Sequence, residues 1–216
     1  GTCGLDWDTL HQAKLRSDQL TTKTTIVVIR HGWICYEWGT TGTYTVHSVT
    51  KSFTALSIGK FFELTGVTPD SVVHPFLPPA FGASDPRKTA ITFSQMLTMS
   101  SGIEPRDGDP ATFPLNTLED AFTSPMSADP GTEWAYSSLP VSLMSVVLQD
   151  YLGQSLRTFF NANILNPIGV PSISATQWTT WFNYTQGAAG AQIKAKDAAR
   201  LGYLLLHQGN WNGTQI

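Results

Sequence analysis

A polar pair stands at the head of an apolar helix in this chain. The segment 47–56 reads HSVTKSFTAL, and apolar residues continue after it at helical spacing, so it predicts a buried helix. Ser48 and Lys51 are three residues apart and therefore share one helical face. A serine becomes a nucleophile when a neighbouring group takes its proton, and a lysine can do this if burial lowers its pKa. The pair indicates an activated serine or, more simply, a helix N-cap at Ser48.

The same Ser-x-x-Lys pattern occurs a second time, at Ser57 and Lys60. The two serines are nine positions apart, which at about 100° per residue places them on opposite helical faces. Only Ser48 stands where a loop becomes a helix. We therefore expect Ser57 to pack in the interior and Lys60 to extend along the surface.

Composition excludes several classes of function. The 216 residues are 41% hydrophobic and only 13% charged, which suits a globular chain with a sizeable core. The net charge of −3 and the absence of a basic run argue against nucleic acid or an anionic membrane as a partner. No apolar run reaches membrane-spanning length.

The five histidines lack the spacing of a metal site, so we expect no metal and no cofactor. The chain starts at Gly1, which predicts a mature or trimmed product.

Two features favour a secreted or periplasmic protein. Cys3 and Cys35 are either one disulfide or two buried free thiols, and the sequence leaves both alternatives open. The sequons at Asn183 and Asn212 are candidate glycosylation sites on surface loops.

Periodicity predicts one hairpin followed mainly by helices. The β-branched run 24–30 and the run 33–38 read as its two antiparallel strands. Helices are predicted over residues 5–20, 48–65, 92–99, 117–122, 140–152, 155–165 and 196–207, with loops at 67–90, 103–117 and 171–190. A two-stranded sheet is marginal alone, so we expect further strands from sequence beyond this stretch or from another chain. Asp107 and Asp109 could line a cleft, although a solvated loop is the simpler interpretation.

Several strings in order resemble the serine β-lactamase/penicillin-recognising superfamily, in the branch with class C β-lactamases, D-alanyl-D-alanine carboxypeptidases, esterases and 6-aminohexanoate-dimer hydrolases. They are SVTKSFT at 48–54, ITFSQMLTMSSGI at 91–103, PGTEWAYSS at 130–138, the segment 153–170, and AKDAARLG at 195–202. The family's later Lys-Thr-Gly or His-x-Gly motif is not matched, because the string at 207–209 ends an amphipathic helix. The chain therefore resembles the front part of such a protein.

The resemblance implies roles for particular residues. Ser48 would attack a carbonyl and form an acyl-enzyme, with its backbone N–H in the oxyanion hole. Lys51 and Tyr136 would be the acid–base pair, although a core aromatic is the alternative for Tyr136. Ser138 stands where many members have asparagine, so its expected contact with Lys51 or substrate is in question. We also expect Trp134 to bind substrate, in an apolar wall with Trp178 and Trp181, although all three could simply belong to the core.

The resemblance also implies a fold and a function. The expected fold is α+β and β-lactamase/transpeptidase-like, with an antiparallel sheet flanked by helices and its C-terminal strands missing. Residues 1–47 and 187–216 would form an incomplete α/β region, and residues 48–186 a mainly helical region. The expected function is a serine hydrolase acting on a small-molecule amide or ester, with an esterase or small-amide hydrolase favoured. A C-terminal fragment of the same protein could complete the sheet. The alternative is a non-catalytic binding or scaffold protein that retains the fold.

Overall fold

A computed structural model describes residues 3–19, 25–39, 41–107 and 117–216. The chain divides into two compact units. The first comprises residues 1–45, 167–170 and 192–216, and the second comprises residues 46–166 and 171–191.

The described residues contain eight α-helices, which are α1 (Trp7–Asp18), α2 (Thr50–Thr65), α3 (Ala80–Ala83), α4 (Phe93–Leu97), α5 (Leu118–Phe122), α6 (Ser138–Leu152), α7 (Leu156–Phe160) and α8 (Ala195–Leu206). The strands are β1 (Ile26–Arg30), β2 (Trp33–Trp38), β3 (Tyr44–Thr45), β4 (Thr180–Trp181), β5 (Tyr184–Thr185), β6 (Gln192–Ile193), β7 (Asn210–Trp211) and β8 (Thr214–Gln215). In the described part of the chain, no helix is both long and apolar enough to cross a bilayer.

The first unit is built on the hairpin of β1 and β2. The strands pair antiparallel, and α8 packs against β1. A disulfide between Cys3 and Cys35 ties the segment before α1 to β2, so the cysteines are bonded rather than free. Two shorter antiparallel pairs, β3 with β6 and β7 with β8, belong to the same unit.

The second unit has α2 and α6 in its core. Every residue from Leu139 to Leu148 is buried, which makes α6 a central helix that is covered on all sides over this stretch. On α2, Phe53 stacks on Phe160, and both rings contact Trp178. Gly66 ends α2 in the left-handed conformation, as the sequence predicts.

The structure confirms the α+β class with small antiparallel sheets, and it corrects several details. The predicted loop 67–90 contains α3 and two 3-10 turns, and the predicted loop 171–190 contains the β4–β5 hairpin. The helix predicted from 155 to 165 is α7 followed by a wider π turn at Asn161–Leu165. Further strands do occur within the chain, but each is only two residues long, which is too short for hydrophobic periodicity to reveal. The predictions for residues 20, 24, 109 and 116 lie outside the described residues.

A buried lysine lies in the second unit, away from Ser48 in sequence. The Lys88 side chain is fully buried, and its ammonium donates hydrogen bonds to the Ser84 hydroxyl and the Phe122 carbonyl, both at 2.7 Å. Burial lowers the pKa of Lys88 to about 8, against the opposing effect of the Asp85 charge. The ordinary pKa of a lysine is 10.5, so the folded state releases this proton at a lower pH than the unfolded state does.

We expect stability to rise with pH on account of Lys88. Between the two pKa values the unfolded chain binds more protons than the folded chain, so raising the pH removes a penalty on folding. From about pH 7 to about pH 10, the wild-type free energy of unfolding should rise by about 2–3 kcal/mol relative to Lys88→Met. Urea denaturation of both proteins measures this difference. Lys60→Met removes a surface partner of Glu63 but keeps Lys88, so it should retain the wild-type pH dependence of the free energy of unfolding. An equal pH dependence in wild type and Lys88→Met would contradict the expectation.

Candidate active site

Ser48 lies in a 3-10 turn, His47–Val49, that leads directly into α2. The preceding residue, His47, has a φ of 43°, in the left-handed backbone region that residues other than glycine rarely adopt. Ser48 is exposed, whereas Thr50 at the start of α2 is buried. The chain therefore bends sharply before the serine and leaves its hydroxyl accessible where the helix begins.

Three predicted side chains meet at this point. The Lys51 Nζ donates hydrogen bonds to the Ser48 Oγ at 3.1 Å, to the Tyr136 Oη at 3.0 Å and to the Ala188 carbonyl at 3.0 Å. The Ser48 and Tyr136 hydroxyl oxygens are 2.6 Å apart and share a hydrogen bond. The three donors of an ammonium match these three acceptors. The arrangement can pass a proton between serine and tyrosine while a cation contacts both oxygens.

The environment favours the ionised form of Tyr136. The hydrogen bond from Lys51 lowers the pKa of Tyr136, the bond with Ser48 lowers it further, and the negative charge of Asp107 opposes both. The Lys51 ammonium also lies 5.0 Å from the centroid of the tyrosine ring. A tyrosine that ionises more readily is a better general base near neutral pH.

The segment 187–191, with the sequence GAAGA, forms one wall of the site. It is bonded along α2 in three places, because Thr50, Lys51 and Thr54 each hydrogen-bond to its backbone. A Cβ at Gly187 would lie 2.7 Å from a backbone oxygen of α6, so the close approach requires glycine. Sequence reasoning missed Ala188, because a backbone carbonyl carries no residue signature. The run of small residues was the only available signal.

The two predicted substrate-binding residues, Trp134 and Ser138, have different surroundings. The Trp134 side chain is 69% exposed, two residues before Tyr136. Ser138 begins α6, and its backbone N–H donates to Asp107 at 2.6 Å. Among the contacts of the described residues, none joins the Ser138 hydroxyl to Lys51.

The remaining aromatic candidates separate by burial. Trp178 is 1% exposed, and its indole N–H donates to the Gln186 carbonyl at 2.8 Å, so it belongs to the core. Trp181 is half-buried against Phe182. Of the three tryptophans, only Trp134 remains a candidate for an exposed apolar surface.

Other residues singled out by sequence also have clear places. Ser57 is buried and donates to the Phe53 carbonyl, and Lys60 pairs with Glu63 at 2.8 Å, as expected for the opposite face of α2. Asn183 and Asn212 are exposed at the turns of two hairpins, β4–β5 and β7–β8. Their glycosylation stays a prediction.

Comparison with known proteins points to one family. The family model described as Beta-lactamase matches residues 23–212. Among curated proteins, the chain is 28% identical to Protein flp of Staphylococcus aureus (strain COL) over 141 residues, which are 62% of this chain and 28% of that protein.

Solved structures share the fold. A Bacteroides dorei DSM 17855 structure, assigned as a beta-lactamase, has a TM-score of 0.80 at 21% identity, over 97% of this chain and 66% of that one. The beta-lactamase/D-alanine carboxypeptidase of Pseudomonas syringae has a TM-score of 0.71 at 19% identity, over 95% of this chain and 67% of that one. The chain thus spans about two thirds of these structures. The predicted partnership with a separate C-terminal fragment has no support in the comparisons.

Proposed function

The chain belongs to the beta-lactamase family, and from that premise we propose that it is a serine hydrolase that cleaves an amide or ester through an acyl-enzyme on Ser48. The observation that carries the proposal is the 2.6 Å contact between the Ser48 and Tyr136 oxygens, with Lys51 bonded to both. A serine acts as a nucleophile when a base is within hydrogen-bond reach and a further group orients that base.

In the proposed acylation step, the ionised Tyr136 takes the proton of Ser48 as the serine oxygen bonds to the substrate carbonyl carbon. The negative charge moves to the carbonyl oxygen, and the backbone N–H of Ser48 is our candidate oxyanion donor, since the first turn of a helix has unpaired N–H groups. When the intermediate collapses, Tyr136 returns the proton to the leaving alcohol or amine. Lys51 stabilises the charge on both oxygens throughout.

Water completes the cycle by the same route. Tyr136 takes a proton from a water molecule as the water oxygen bonds to the acyl carbon. The proton then returns to the Ser48 oxygen as the acyl group leaves as an acid. The tyrosine therefore serves as base and acid in alternation, and no metal or cofactor takes part in the proposal.

An exposed tryptophan near the site in sequence supports a substrate with an apolar part. Trp134 exposes 69% of its side chain close to Tyr136 in sequence and offers an apolar face to an acyl or leaving group. The Cys3–Cys35 disulfide supports an extracellular or periplasmic location, because such bonds persist in oxidising compartments.

Labelling with a fluorophosphonate tests the proposal. This reagent phosphonylates activated serines, so intact mass spectrometry of the full-length protein should show one adduct, located on the Ser48 peptide. Ser48→Ala should show none. Ser84→Ala is the matched control, because Ser84 also contacts a lysine at 2.7 Å but belongs to no serine–lysine–tyrosine set, so its removal should leave labelling intact. An unlabelled wild-type protein would overturn the hydrolase proposal and favour the non-catalytic binding role.

A further inference from the structure

Helix α6 begins without a cap from its own N-cap residue. Ser137 has the extended backbone of an N-cap, but its side chain makes no capping bond, and its Oγ is buried with no hydrogen-bond partner among the described residues. Instead, the Asp107 Oδ2 accepts the backbone N–H of Ser138 at 2.6 Å, from 31 positions earlier in the chain. A carboxylate in this place also complements the positive end of the helix dipole.

The segment that leads to Asp107 is itself held in place. The N–H of Glu104 donates to the Pro125 carbonyl at 2.9 Å, and Ile103 forms an isolated bridge with Met126. A few residues earlier, the Met99 carbonyl accepts the N–H of Ala135 at 3.0 Å, directly before Tyr136. The segment that carries the capping carboxylate is therefore hydrogen-bonded just before Tyr136, at Ala135, and just after it, at Ser138.

We propose that Asp107 is a positioning residue for Tyr136, holding the first turn of α6 and supplying the negative charge that opposes Lys51. The inference rests on the proposed function and deepens it. Two groups bond to the tyrosine hydroxyl, Ser48 just before α2 and Lys51 on α2, and the Asp107 carboxylate is the negative charge that raises the pKa of Tyr136. The wall at 187–191 contributes only glycine and alanine, which do not titrate.

Two substitutions separate the tether from the charge. In Asp107→Asn the amide oxygen can still accept the Ser138 N–H, but the negative charge is gone. Because that charge raises the pKa of Tyr136, its removal should move the tyrosine titration to lower pH. In Asp107→Ala the tether is lost as well, and the rate of Ser48 labelling at its pH optimum should fall by about tenfold, since small displacements near reacting atoms are costly.

Two readouts keep this inference distinct from the proposed function. The first is the near-ultraviolet absorbance of tyrosinate against pH, in which Tyr136 is identified by its absence in Tyr136→Phe. The second is the pH dependence of fluorophosphonate labelling of Ser48. If Ser48 takes no label but the Tyr136 titration moves in Asp107→Asn, the proposed function fails and the electrostatic role of Asp107 stands.

The matched control is Glu133→Gln, which neutralises an exposed carboxylate three residues before Tyr136 that is not among the charges shifting its pKa. We expect Asp107→Asn to move both the titration and the rising limb of labelling to lower pH, while Glu133→Gln leaves them in place. An unmoved titration in Asp107→Asn, or the same displacement in Glu133→Gln, overturns the electrostatic role. Equal optimal labelling rates in Asp107→Ala and Asp107→Asn overturn the tether.

Discussion

Replacing Lys51 by methionine should lower kcat/KM for a chromogenic ester by about 10³–10⁴, the upper part of the range for loss of an acid–base group. The substitution removes the cation that contacts both reacting oxygens, at 3.1 Å from Ser48 and 3.0 Å from Tyr136. It also removes the largest cause of the lowered pKa of Tyr136. The pH at which activity rises should therefore increase, because the tyrosine then ionises less readily.

A second lysine on α2 provides the control for this measurement. Lys60 is nine residues further along the helix and pairs with Glu63 at the surface, so Lys60→Met should change kcat/KM by less than about twofold. Circular dichroism of both variants reports on the helix itself. If a folded Lys51→Met protein retains a tenth or more of the wild-type activity, Lys51 does not have the proposed role.

The parts of the site that lie close together in sequence could be predicted from it. Ser48 and Lys51 are neighbours on one turn, and the contrast with Ser57 and Lys60 follows from helical geometry alone. The β1–β2 hairpin and the end of α2 at Gly66 were readable for the same reason, because turn residues and alternation are local signals.

The parts that depend on distant chain segments could not be predicted from residue patterns. Ala188 takes part through its carbonyl, which every residue has, and Asp107 caps a helix 31 positions away. Trp134 and Trp178 are the same residue type, yet one is exposed and the other packs edge-on against both Phe53 and Phe160. Burial of this kind is decided by tertiary packing, so the sequence left both assignments open.

Replacing Tyr136 by phenylalanine should lower kcat/KM by about 10²–10⁴ while leaving the fold intact. The ring remains, and only the hydroxyl that contacts Ser48 at 2.6 Å is lost. If this hydroxyl is the base, the rising limb of the pH profile should disappear rather than move. The matched control is Tyr184→Phe, since Tyr184 also bonds to a charged side chain, but its pKa is raised by burial and by Asp150.

The double variant Lys51→Met/Tyr136→Phe distinguishes one catalytic unit from two independent groups. Lys51 acts in the proposal chiefly through Tyr136 and Ser48, so once the tyrosine hydroxyl is gone the lysine has less left to stabilise. The combined loss in kcat/KM should therefore be close to that of the worse single variant, as is typical of residues that act together. Fully multiplicative losses would mean that the two side chains act in separate steps, and the hydrogen-bonded set would then not be the unit that activates Ser48.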